Sequence, residues 1–224
     1  MPILRLKHLV AVRWFHWINF PLLFLMIWSG LLIYWANDVY QIPFNGTPVF
    51  HFFPESVYKA LGMGHRLADG MALHFFFMWL FTINGVLYVG YTLLSGEWRY
   101  LVPTRLSAFR DAWAVVLYDL HLRKELPPQQ KYNAAQQITY TAIVLMGVGS
   151  VLTGLAIYKP IQVSWLTALF GTYEFARVLH FTLTMGYLAF FMVHIAQVAR
   201  AGWNNFRSMV MGYELVPVKE GHHE

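Results

Sequence analysis

The chain has 224 residues, of which 58% are hydrophobic and 18% aromatic, while only 12% are charged. A soluble domain carries about 25% charged residues, so this composition excludes a soluble protein and leaves room for a single membrane domain over residues 1–224. The formal net charge is +5, and cysteine is absent, which excludes disulfides and any cofactor held through cysteine.

Four apolar segments are long enough to cross a bilayer as helices, since about 20 helical residues span its hydrocarbon core. They contain no Asp, Glu, Lys or Arg and cover residues 17–35, 71–94, 138–158 and 178–199. The fold predicted is an all-α integral membrane four-helix bundle. The connections are predicted to hold a helix that leads from Glu55 into the second span, a surface helix over 108–122 and an interfacial segment over 161–170.

The basic residues predict the orientation of this bundle. Twelve of the 16 Lys and Arg residues lie in the N-terminal arm, the 95–137 connection and the C-terminal tail. Basic residues are enriched on the cytoplasmic side of membrane proteins. Both termini are therefore predicted to be cytoplasmic. The long 36–70 connection is predicted to lie outside and to serve as a docking surface, or alternatively as a lid.

Four histidines lie in or beside these apolar segments, where an imidazole is costly unless it faces the interior and has a partner or a function. His180 and His194 are 14 residues apart, which places them on one helix face, roughly 21 Å apart along the axis. Depth along the helices pairs His16 with His194, and in the same way it pairs His74 with His180. Two bis-histidine sites in a helix bundle are typical of haem, so two haem groups are predicted.

Other interpretations of these histidines stay open. Each could be a hydrogen-bonded core residue or an interfacial residue at a helix start. His65 competes with His74 as a ligand, because it lies only nine residues earlier. The tripeptide Leu-His-Phe occurs at 73–75 and again at 179–181, which is too short to establish an internal duplication.

Haem carboxylates need cationic partners, and four arginines are candidates. Arg13 and Arg200 lie near the cytoplasmic pair of histidines. Arg66 and Arg177 lie near the outer pair. Each could equally be an interfacial residue whose side chain extends to the membrane surface.

Several motifs together carry a resemblance to a known family. They are His16-Trp17 at the first span, the histidine that opens the second span, the spacing of His180 and His194, and Lys-Tyr-Asn-Ala-Ala-Gln-Gln at 131–137. The arrangement resembles the di-haem b-type cytochrome subunits of bacterial formate dehydrogenase, nickel–iron hydrogenase and thiosulfate reductase. The 131–137 string is similar to the Lys-Tyr-Asn-Ala-Gly-Gln-Lys of the formate dehydrogenase cytochromes, with Ala135 and Gln137 as departures.

The resemblance implies an inner-membrane subunit with two haem b groups. Such a subunit transfers electrons between the quinone pool, menaquinone or ubiquinone, and a periplasmic-side catalytic or electron-transfer subunit of the molybdenum or hydrogenase type. The resemblance places the quinone near Asn133, and Gln136 is a second possible donor. Alternatively, these two residues only cap the third span. Membrane lipid is an expected partner and nucleic acid is not.

A second function is compatible with the same plan. The chain could be a self-contained membrane quinone oxidoreductase that takes electrons from a small soluble donor such as superoxide. A third possibility, a haem-free anchor or channel, would leave the four histidines unexplained. The first function, electron transfer on behalf of a separate catalytic subunit, is the one predicted.

Overall fold

The computed structural model describes residues 3–37, 41–44, 47–51, 55–125, 127 and 132–216. Lys131 of the 131–137 motif and the tail beyond Val216 lie outside these residues. The elements in chain order are β1 (Ile3–Leu6), α1 (Val10–Asn37), β2 (Gln41–Phe44), β3 (Thr47–His51), α2 (Glu55–Ala60), α3 (Leu67–Ser95), α4 (Trp98–Leu101), α5 (Ser107–Asp119), α6 (Ala134–Tyr158), α7 (Ser164–Leu169), α8 (Tyr173–Met211) and β4 (Tyr213–Val216).

The predicted all-α membrane fold is confirmed. Within the described residues, four helices are long and apolar enough to cross a membrane, namely α1, α3, α6 and α8. Large apolar side chains of α3 are exposed, including Phe76 (62%), Trp79 (60%) and Val86 (66%). Apolar exposure on this scale is what contact with lipid requires, because lipid chains take the place of a protein core.

The helices are longer than the apolar segments that predicted them. Helix α1 begins at Val10, α3 begins at Leu67, and α8 runs from Tyr173 to Met211. Charged residues such as Arg13, Asp69 and Glu174 fall inside these extensions. A charge ends the hydrocarbon-spanning part of a helix, but the helix itself continues into the headgroup region, where water satisfies the charge.

The connection before α3 differs from its prediction. Instead of leading into the second span, the helix from Glu55 ends at Ala60. Gly62 and His65 then adopt φ values of 64° and 61°. A left-handed residue ends a helix, so α3 starts anew at Leu67. The predicted surface helix over 108–122 corresponds to α5, and the interfacial segment over 161–170 contains α7.

Two small antiparallel sheets were not predicted. Strands β2 and β3 form one of them. Strands β1 and β4 form the other and pair the two ends of the chain, from Ile3 opposite Val216 to Leu6 opposite Tyr213. We call this second pair the terminal sheet.

An acidic residue stabilises the terminal sheet. Glu214 accepts hydrogen bonds from Arg5 Nε at 3.0 Å and lies 2.8 Å from Lys7 Nζ. Burial alone would raise the pKa of Glu214, but the hydrogen bonds from Lys7 and Arg5 hold it below its ordinary value. The carboxylate is therefore charged and paired at neutral pH.

The described residues divide into two compact units. One consists of Met1–Asn84 together with Leu188–Glu224, and the other of Gly85–Tyr187. We call them unit 1 and unit 2. His16, His74 and His194 belong to unit 1, and His180 belongs to unit 2.

Candidate functional site

The His16 and His194 rings face each other within unit 1. His16 lies on α1 and His194 on α8, with ring centroids 6.1 Å apart and planes inclined by 55°. Aromatic neighbours flank both rings. Trp17 lies edge-on to His16 at 5.1 Å, and Phe190 stacks on His194 at 5.4 Å. Helical periodicity along α8 turns His194 towards α1, while the pairing of His16 and His194 as ligands stays a prediction.

This separation fits an iron bound between two imidazoles. Two Fe–N bonds of about 2 Å each, plus about 1 Å from each bonded nitrogen to its ring centre, separate the centroids by about 6 Å. Direct hydrogen bonding between the two rings would bring their centroids closer than this. The observed distance therefore leaves room for one metal atom between the rings.

A buried nitrogen of His16 supports the same interpretation. Among the residues that the structure describes, no group forms a hydrogen bond with His16 Nδ1, and the atom is buried. A buried polar atom without a partner costs about 1–3 kcal/mol. An imidazole nitrogen without a hydrogen-bond partner is available as an iron ligand, so the donor set fits the predicted cofactor.

His74 has a hydroxyl partner on the neighbouring helix. It is the eighth residue of α3, and its Nδ1 lies 3.0 Å from Ser29 Oγ of α1. Gly30 follows this serine, and a Cβ built on it would lie 3.5 Å from His74 Cε1. The competing ligand His65 is exposed and precedes α3, in left-handed backbone.

His180 has a closely similar environment within unit 2. It is the eighth residue of α8, and its Nδ1 lies 2.9 Å from Thr153 Oγ1 of α6. Gly154 follows this threonine, and a Cβ on it would lie 3.3 Å from His180 Cε1. The pairing of His74 with His180 stays a prediction from sequence depth, because the two residues belong to different units.

Comparison with known proteins decides the family. The model of the family described as prokaryotic cytochrome b561 matches residues 7–212. The chain belongs to the prokaryotic cytochrome b561 family. It is also 31% identical, over 82% of its length, to the putative protein-methionine-sulfoxide reductase subunit YedZ1 of Azospira oryzae, of which the match covers 85%.

Family membership confirms the coarse predictions. The chain is a b-type cytochrome, a multi-pass protein of the bacterial inner membrane and a haem-containing electron-transfer subunit. Haem b is its cofactor. The number of haem groups, the quinone and the partner remain predictions.

The four candidate arginines of this cytochrome have different surroundings. Arg13 donates to the backbone carbonyl of Val210 at 2.6 Å. The exposed Arg66 donates to Asp69 at 2.9 Å. Arg177 lies over the Tyr173 ring at 5.7 Å, and Arg200 is exposed. Their roles towards haem stay predictions.

Asn133 and Gln136 form a capping box at the start of α6. Asn133 Oδ1 accepts from the Gln136 backbone N–H at 2.8 Å, and Gln136 Oε1 accepts from the Asn133 backbone N–H at 3.0 Å. The cap uses both carbonyl oxygens, and the amide N–H groups are not used in it. A hollow of about 110 Å³ adjoins the cap and is lined by Tyr132, Ala134 and Gln137 together with residues of α4, α5 and their connection.

The sequence analysis did not identify Ser29 and Thr153. A hydroxyl inside an apolar helix usually bonds to its own backbone, so neither residue is conspicuous by itself. The available signal was that each is followed by Gly-Leu, and that each histidine sits in Leu-His-Phe.

Proposed function

We propose that this cytochrome is a membrane subunit with two haem b groups that connects the quinone pool with an oxidoreductase on the periplasmic side. The 6.1 Å separation of the His16 and His194 rings carries the proposal, because the two rings could hold one iron between them. When bound, haem b supplies reversible one-electron redox chemistry.

The four histidines serve as two ligand pairs in this proposal. His16 and His194 hold the haem on the predicted cytoplasmic side. His74 and His180 hold the second haem on the predicted outer side. The second assignment rests on the matched depth of the two residues and on the similar hydroxyl contacts of their Nδ1 atoms.

The arginines are proposed as partners of the haem carboxylates. Arg13 is the best supported of the four, because its Nε is buried and has no hydrogen-bond partner among the described residues. We assign Arg13 and Arg200 to the cytoplasmic haem. Arg66 and Arg177 are assigned to the outer haem, and for this role Arg66 would exchange its bond with Asp69 for one with a carboxylate of the cofactor.

The quinone is proposed to bind beside the capping box. The amide N–H groups of Asn133 and Gln136 can donate to a quinone carbonyl while the carbonyl oxygens maintain the cap. The adjoining hollow of about 110 Å³ offers space at this position. Burial raises the pKa of the Tyr132 hydroxyl, which therefore stays a neutral donor in the hollow at physiological pH.

The partner is proposed to be a separate catalytic subunit, of the molybdenum or hydrogenase type. The Azospira oryzae relative is named as a putative subunit of a protein-methionine-sulfoxide reductase. Reduction of oxidised methionine in proteins is accordingly the activity to test first. The outer connection that contains β2, β3 and α2 is the proposed docking surface.

Quinol-driven haem reduction tests this function, with two variants of Asn133. Asn133→Asp keeps a good N-cap and removes the amide donors, whereas Asn133→Ala removes the N-cap and the amide donors. If Asn133 binds quinone, both variants should slow reduction by about tenfold, as expected for the loss of one hydrogen bond. The absorption spectrum of the haem should stay unchanged.

The outcomes separate the interpretations. Slow reduction in Asn133→Ala alone would show that the residue acts only as a cap. Rapid reduction of the isolated chain by superoxide, with no requirement for a second subunit, would favour the self-contained oxidoreductase. A purified chain that binds no haem would refute both.

A further inference from the structure

Two contacts of the same kind hold His74 and His180. In unit 1 the His74 ring reaches Ser29 of α1, and in unit 2 the His180 ring reaches Thr153 of α6, at Nδ1-to-oxygen distances of 3.0 and 2.9 Å. Each hydroxyl sits on one spanning helix, and each histidine is the eighth residue of a later one. The same local geometry therefore occurs twice in the chain.

The sequences around these contacts also match. Residues 29–34 read Ser-Gly-Leu-Leu-Ile-Tyr and residues 153–158 read Thr-Gly-Leu-Ala-Ile-Tyr. Both histidines lie in Leu-His-Phe. Together the hydroxyl-glycine segment and the histidine segment extend the similarity well beyond the tripeptide, and each pair of segments is in contact within its unit.

Small residues hold the helices close at both places. Gly70 lies four residues before His74, and a Cβ on it would be 2.9 Å from Leu32 Cβ. Ala176 lies four residues before His180 and is fully buried in a cluster with Ala156. These close approaches bring each hydroxyl within reach of its histidine, because a bulkier residue at either position would separate the two helices.

The hydrogen-bond pattern determines which ring nitrogen carries the proton. Ser29 Oγ donates to the Leu25 carbonyl at 2.6 Å, and Thr153 Oγ1 donates to the Gly149 carbonyl at 2.7 Å. A hydroxyl has one proton, so while that proton is used on the carbonyl each oxygen accepts from the histidine. In unit 2 the Ser150 backbone forms a further hydrogen bond with His180. In this arrangement Nδ1 of each histidine carries the proton, and the lone pair lies on Nε2.

We propose that Ser29 and Thr153 are matched positioning residues, which accept the Nδ1–H of His74 and His180 and thereby present Nε2 of each ring to a haem iron. The proposal rests on the assignment of these two histidines as ligands of the outer haem. A ligand histidine that donates from its other nitrogen is held in one tautomer and orientation and becomes a stronger base.

A glycine also contacts each of these histidine rings. Gly30 and Gly154 follow the hydroxyl residues and lie against Cε1 of the histidine rings, with Cβ distances of 3.5 and 3.3 Å. The space above each glycine is thus filled by the edge of an imidazole. The ring is confined between a hydroxyl that accepts its hydrogen bond and a backbone that limits its rotation.

The test is a redox titration of the haem groups in Ser29→Ala and Thr153→Ala. Loss of the hydroxyl acceptor makes the imidazole a weaker base. Its binding to ferric haem is then weakened more than its binding to ferrous haem. The midpoint potential of one haem should therefore rise. A tenfold change in the ratio of ferric to ferrous affinity corresponds to about 59 mV for one electron.

Conservative variants separate this role from general packing. Ser29→Thr and Thr153→Ser keep the hydroxyl and should keep the potential of the parent protein. Thr92→Ala removes another buried hydroxyl, which donates to the Tyr88 carbonyl of its own helix at 2.8 Å, and should change neither haem. The haem of the His16–His194 pair serves as an internal reference for folding.

Each outcome of this set is decisive. A raised potential, or a tenfold weaker retention of one haem, that the conservative variants restore supports the proposal. An unchanged potential with full haem content in both alanine variants would overturn it and leave the proposed function intact. Full haem content in His74→Ala and His180→Ala would instead refute the ligand assignment on which the proposal rests.

Discussion

Replacement of His194 with alanine should halve the haem content of the purified chain. The two rings of the His16–His194 pair lie 6.1 Å apart, a separation that fits two ligands of one iron. In the proposed two-haem arrangement, removal of either ring would leave that haem with one protein ligand, while the second haem would keep both of its ligands. The ratio of haem to protein should therefore fall by half in His194→Ala and equally in His16→Ala.

The geometry also predicts a pattern of non-additivity. The double variant His16→Ala/His194→Ala should retain as much haem as either single variant, because both changes affect the same cofactor. The combination His194→Ala/His74→Ala should retain none. Pyridine haemochrome assay and protein quantitation measure both ratios, and the remaining haem should keep a low-spin, bis-histidine spectrum.

Two results would refute this reasoning. An unchanged ratio in His194→Ala would mean that the ring is not a ligand. A lower ratio in the His16/His194 double variant than in either single variant would mean that the two rings serve different haem groups. Added imidazole provides a control, because it can enter the cavity left by alanine and restore the lost haem in a chain that is folded.

Two further predictions concern stability. Gly70→Ala should lower the free energy of unfolding by about 1–3 kcal/mol through overpacking, since its Cβ would lie 2.9 Å from Leu32 Cβ. Gly85→Ala in the same helix meets no atom within 4 Å and should not lower it. Equal unfolding temperatures of the two variants would refute the close approach. Hydrogen-exchange protection of the terminal sheet, corrected for the intrinsic pH dependence of amide exchange, should decrease as pH falls, because Glu214 has a lowered pKa in the folded state and stabilises the sheet only while ionised. In Glu214→Gln the protection should be lower by about 1 kcal/mol and independent of pH over the same range, and an unchanged pH dependence would show that the carboxylate is not its origin.

The spanning helices were predictable because their signal is local. Apolar runs free of charge lie inside α1, α3, α6 and α8. The helix ends were less predictable. Arg13 of α1 and Glu174 of α8 fall outside the apolar runs but inside the helices, since a helix does not need an apolar environment at the membrane surface.

Partners distant in the chain escaped sequence analysis. The terminal sheet pairs Ile3 with Val216, and no local pattern indicates where a four-residue strand will find its partner. The contact of Ser29 with His74 spans 45 residues and depends on two helices at close range. The position of His194 on the same helix as His180 could be predicted, by contrast, because it is set by helical geometry alone.

The terminal sheet has a consequence for biogenesis. Strand β1 is the first described element to leave the ribosome, and its partner β4 is the last. The edge of β1 therefore stays without its partner until β4 has been synthesised, while the helices between them insert into the membrane. Closure of β1 on β4 is a late step that requires residues 213–216, and termination of synthesis before Tyr213 would leave an open strand edge available for aggregation or proteolysis.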